Sequence, residues 1–84
     1  MVTVLYRQRH GYDVRIFSED HEPAHVHVFK GGNRVRVFLD PISFDENHGF
    51  NDRELRRIRR LIELHLELIR DQWAIVHRSR RTNI

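Results

Sequence analysis

Hydrophobic and polar residues alternate along the first forty residues of the chain, then recur at spacings of three and four beyond Asn51. The first period is that of β-strands and the second that of an amphipathic helix. Residues 2–7 are rich in β-branched and aromatic side chains and predict a first strand. A turn over residues 8–11 ends on Gly11, and residues 12–17 alternate again, so these segments form a hairpin. A polar, acidic loop over residues 18–23 leads through Pro23 into a third strand, residues 24–29. Gly31, Gly32 and Asn33 tolerate positive φ and predict a second hairpin, with residues 34–39 as the return strand. Asp40 and Pro41 end that strand. The segment from there to Phe50 reads as a long loop whose Ile42 and Phe44 pack down on the domain, with His48 and Gly49 near its end.

Asn51 has the form of a helix N-cap, with Asp52 and Glu54 placed to favour the dipole of the first turn. Glu54 stands three residues after Asn51, the spacing of a capping box. Leu55, Ile58, Ile62, Leu66, Ile69, Trp73 and Val76 form one apolar stripe, which Leu61, Leu64 and Leu68 widen. A continuous helix over residues 51–77 would be about 40 Å long, more than a sheet of six-residue strands can cover. Either it breaks, or its last turns project and place Trp73 or Val76 on another chain, so a homodimer is expected. The sum is an α+β domain, ββββα: a four-stranded antiparallel sheet packed on one long C-terminal helix. The domain spans residues 1–77, and residues 78–84 read as a loose basic tail.

The chain has 84 residues, which bounds it to one small domain. It has no cysteine, so no disulfide framework or thiolate metal site is available. The first residues lack the charged start and apolar core of a signal peptide, and no apolar run approaches a membrane span, so a cytoplasmic protein is expected. Residues 1–50 carry six Arg or Lys against seven Asp or Glu, and residues 51–84 carry nine against five, so the overall charge of +3 resides in the second part. Fourteen of the fifteen basic residues are Arg, the better bidentate partner for phosphate or carboxylate; a GC-rich genome also favours its codons.

Carried through every strand, the alternation sends Val14, Ile16, Val26, Val28, Val35, Val37 and Leu39 toward the helix. The opposite face collects Arg15, Phe17, His25, His27, Phe29, Arg34, Arg36 and Phe38. Within one chain this face has no helix over it, and exposed aromatics invite association. Three readings compete. Arg could bind phosphate while Phe stacks bases, as in sheet-based RNA binders. Arg and aromatics also suit a protein interface with a cognate partner or a second copy. Alternatively the 40–50 segment and the tail cover the phenylalanines.

His25 and His27 share one strand face, with Cβ atoms about 6–7 Å apart. As an acid–base pair they could cleave a phosphodiester, one taking the ribose 2′-OH proton and the other protonating the leaving oxygen. Arg34 or Arg36 would stabilise the developing charge, giving a metal-independent ribonuclease. A metal is the next possibility, with His21, Asp40 or His48 completing the set, but no third ligand stands at diagnostic spacing. No metal and no cofactor are therefore expected. In the plainest reading the two histidines are polar strand residues bonded to Glu22 or Asp40. Arg53, Arg56, Arg57, Arg59 and Arg60 crowd the start of the helix, where cations are disfavoured; they suit a phosphate or an acidic partner, or form a solvated face near Glu63. No glycine-rich phosphate loop, nucleophile elbow or paired-carboxylate motif is present.

Four fragments together carry a resemblance: Glu22-Pro-x-His25-Val-His27-Val, Leu39-Asp40-Pro41, Gly49-Phe50, and Arg53 through Ile58. The chain resembles, over nearly its whole length, a family of small bacterial proteins classed as a domain of unknown function (domain of unknown function 4160). Members are often encoded beside a second small protein of antitoxin-like type. The resemblance therefore implies a protein partner and a toxin–antitoxin role, and it brings no established activity or catalytic residues.

Overall fold

The computed structural model describes residues 1–81, with side chains through Arg78. Five strands form one antiparallel sheet in chain order: β1 (Val2–Leu5), β2 (Asp13–Ile16), β3 (His25–Lys30), β4 (Asn33–Leu39) and β5 (Ile42–His48). Three helices accompany it: α1 (Arg7–His10), α2 (Asp52–Leu64) and α3 (Leu66–Arg81). The alternation in the sequence is realised in the burial. Val14, Ile16, Val26, Val28, Val35, Val37 and Leu39 are buried on one face, beneath Ile58 and Ile62 of α2 and Ile69 and Trp73 of α3. Each such side chain contributes about 1.5–3 kcal/mol by leaving water. Among the described residues no helix is long and apolar enough to cross a membrane.

The turns follow their glycines. Lys30 pairs with Asn33 across a two-residue turn in which Gly31 has φ 59°. Residues 7–10, expected as a turn, close into the short helix α1, ended by Gly11 at φ 85° with its N–H donating to the Arg7 carbonyl. Asn51 caps α2, its Oδ1 accepting the Glu54 N–H at 2.9 Å. The Glu54 carboxylate accepts from the Tyr12 hydroxyl, tying the head of α2 to the sheet.

Two expectations are corrected. The sheet has five strands, not four, because the segment after Pro41 is a strand and not a loop. Ile42 pairs with Leu39 and Phe44 with Val37 on the helix side, while Ser43 and Asp45 face the other way. An irregularity between Arg34 and Arg36 shifts the register, and Glu46 takes φ 49°. This bulge, together with the polar residues 45–48, hides the period of two.

The helix is also not one but two. His65, at φ −113° and ψ 21°, separates α2 from α3, and the ring of His10 from α1 lies edge-on to it at 5.0 Å. The Ile69 N–H still bonds the His65 carbonyl at 3.0 Å, and beyond His65 α3 packs against β1 and β2, with Ile69 and Trp73 buried in the core. Trp73 is only 6% exposed within its own chain, and Val76 packs partly buried against the same core. The reason for placing these two residues on another chain is thereby removed. α3 continues to Arg81, into the segment read as a tail; residues 82–84 of that segment lie outside the described residues.

Candidate functional site

The face of the sheet away from the core holds a cleft of about 280 Å³, lined by Phe17, His27, Phe29, Arg34, Arg36 and His48. β5 lies beside this face and not over it, so the 40–50 segment widens the sheet without covering Phe17, Phe29 or Phe38. All three are half-buried. Arg34 pairs in register with Phe29 and with His48, which brings three strands to one spot.

The cleft's cations are mostly matched by carboxylates. Arg15 lies over the Phe29 ring at 4.7 Å and meets Asp13 at 3.4 Å. The two terminal nitrogens of Arg36 are held by Asp45 at 3.2 Å and Glu46 at 2.8 Å. Arg34 is exposed and makes no ion pair among the described residues. The Nε donors of Arg15 and Arg36 are buried without an acceptor, so neither guanidinium is fully satisfied in the isolated chain.

At one end of this face the chain closes over itself. His25 is only 7% exposed, lodged between the rings of Phe38 at 5.7 Å and Trp73 at 5.4 Å. Its Nδ1 lies 2.8 Å from the Pro23 carbonyl. A carbonyl can only accept, so Nδ1 carries the proton. His25 Nε2 stands 3.4 Å from Asp20 Oδ2, and His27 Nε2 stands 3.0 Å from the same oxygen. Burial pushes the His27 imidazole below its ordinary range, against the opposing pull of Asp20. The 17–24 segment is pinned to α3 by two bonds: Trp73 Nε1 donates to Glu22 at 3.2 Å, and His77 Nε2 meets the Asp20 carbonyl at 2.9 Å.

The fold thus brings together Arg15, Phe17, His27, Phe29, Arg34 and Arg36, and it separates others. Phe38 packs on His25 instead of lining the cleft. The two histidines do not flank a gap: both Nε2 atoms converge on one carboxylate, and only His27 lines the cleft. Neither Glu22 nor Asp40 is their partner, since Glu22 accepts from Trp73 and Asp40 pairs with Arg70 at 3.3 Å. Arg53, Arg56 and Arg57 are exposed on α2, across the core from the cleft, and Arg57 meets Glu54 at 3.6 Å. Arg59, also exposed, donates to the Ile42 carbonyl and lies near the Phe44 ring.

The residue that sequence reasoning missed is Asp20. It sits in the acidic loop, seven positions before His27, and only the return of that loop over the sheet brings it to the pair. Trp73 was legible as apolar but not as a wall of this cluster.

No curated protein and no solved structure matches the chain. A family model does match it, over residues 11–74, a span that includes β2 through β5, all of α2 and most of α3 with Trp73. The chain belongs to that family, described as a domain of unknown function, DUF4160.

Proposed function

We propose that this protein works by recognition through the open face of its sheet, as the toxin-like member of a two-gene toxin–antitoxin-type module, and that the cleft takes a cognate protein partner. The observation that carries this reading is the charge balance of the cleft. Arg15 and Arg36 are already engaged by Asp13, Asp45 and Glu46. A phosphate backbone would have to break those pairs, whereas a protein surface with both signs of charge can re-form them across an interface. Half-buried Phe17 and Phe29 beside arginines have the composition of interface hot spots.

A second reading is single-stranded RNA, favoured by Arg34. It is exposed, unpaired with any carboxylate among the described residues, and directly opposite Phe29. Bases would stack on Phe17 and Phe29 while Arg34 meets phosphate. Cleavage by a histidine pair needs both rings on the reacting phosphate, and here only His27 lines the cleft.

Co-expression with the product of the neighbouring gene separates the two. The partner should co-purify, and Phe29→Ala combined with Arg34→Glu should abolish capture while leaving the circular dichroism spectrum unchanged. Single-stranded RNA should not bind even at low salt. Tight RNA binding that weakens with salt, by a log–log slope of about −0.7 per contact, would instead establish the RNA reading. In that case, replacing Arg34 and Arg36 together should flatten the slope by about one to two units.

A further inference from the structure

We infer that Asp20, His25 and His27 form a binding site for a divalent transition-metal ion of the zinc class. The three side chains offer ligand atoms that all lie within 4.8 Å of one another. Asp20 Oδ2 is 3.4 Å from His25 Nε2 and 3.0 Å from His27 Nε2. A tetrahedral ion with bonds of about 2.0–2.1 Å holds its ligand atoms roughly 3.3–3.4 Å apart. The carboxylate and each imidazole therefore stand close to the spacing that a shared ion requires.

The hydrogen bonds prescribe which atoms are free to ligate. The Pro23 carbonyl takes the Nδ1 proton of His25, so it is the Nε2 of the uncharged ring whose lone pair would face the Asp20 oxygen. In that form two lone-pair donors would face each other, and a cation between them bridges both. The same carbonyl orients the ring, the outer contact that metal-bound histidines regularly make. The Phe17 N–H reaches the Asp20 carboxylate at 3.3 Å and holds it toward the pair. Phe17, Phe38 and Trp73 supply apolar walls, which limit competition from water.

Two imidazoles and one carboxylate suit zinc, cobalt, nickel or ferrous iron, and they do not suit calcium or magnesium, which take oxygen ligands. Three protein donors leave at least one position for water or for a donor from the cleft's occupant. The sequence lacked this set because its third member lies in a loop, off the strand that carries the histidines. The site does not depend on what the cleft binds, and it is tested without the partner and without RNA.

The alternative cation is a proton, giving an imidazolium–carboxylate pair and no metal site. Chain stripped with chelator and titrated with Co²⁺ distinguishes them. One equivalent should produce visible d–d absorption that zinc then displaces. Zinc at a hundredfold excess over its Kd should raise Tm by on the order of 10 °C. Asp20→Asn and His27→Gln should each lose both the absorption and the shift, while His21→Gln, one residue from Asp20 but outside the set, should keep both. Absence of the absorption in the parent chain overturns the site whatever the variants do. So does a zinc shift that persists in both Asp20→Asn and His27→Gln.

Discussion

Tyr12 shows how a single hydroxyl can set the alkaline limit of the fold. Burial, with the hydrogen bond to Glu54, pushes its pKa up to about 12. The same bond holds the Glu54 carboxyl below the ordinary carboxylate range. In the unfolded chain the phenol ionises near its usual value of about 10. Between these limits the unfolded chain gives up a proton that the native chain keeps, so stability is complete below about pH 10 and falls as pH rises toward 12. Tyr12→Phe should lack this part of the decline. Urea midpoints of parent and variant, measured from about pH 9 to 12, should converge as pH rises; parallel curves would show that Tyr12 titrates normally. Gly49 makes a second residue-scale case. It has φ 105°, and a Cβ there would collide with the Asn33 side chain. Gly49→Ala should therefore destabilise by about 1–3 kcal/mol in urea melts, and an unchanged midpoint would show that β5 relaxes away from the β3–β4 turn. The histidines mark the limit of local reading. Their spacing placed both on one face of β3, but the burial of His25 and the arrival of Asp20 depend on a loop and a helix far away in sequence.

At the scale of elements, four strands, the hairpin glycines, the Asn51 cap and the buried valines were legible because each rests on a short local period. β5 was not, because its bulge and its polar second part interrupt the alternation after Phe44. The break at His65 was not fixed by any glycine or proline. The apolar stripe runs straight through it, and the length of the helix against the sheet was the one signal that something had to give. Trp73, beyond the break, is buried within its own chain. Trp73→Ala should cost about 3–5 kcal/mol, and the loss should be the same at low and high protein concentration because the contacts belong to one chain. A loss that changes with dilution would place Trp73 at a contact between chains. Leu64 and Leu68, which widen the stripe in the sequence, are in fact exposed at 77% and 45%, so that widening does not describe the core.

Taken whole, the molecule presents two arginine-rich surfaces on opposite sides of one core. On α2, Arg53, Arg56, Arg57 and Arg60 stand exposed in water. On the open sheet face, the arginines are set among phenylalanines, histidines and carboxylates in a cleft. Charge alone would nominate the helix, whereas half-buried aromatics and unsatisfied Nε donors nominate the sheet. The proposed working surface is therefore the sheet. Amide chemical-shift mapping of the labelled chain, titrated with the purified product of the neighbouring gene, tests it most directly. The largest changes should fall on Phe17, His27, Phe29, Arg34, Arg36 and His48, with Arg53, Arg56, Arg57 and Arg60 unmoved. Changes concentrated on those α2 arginines, with the cleft silent, would place the working surface on the helix instead.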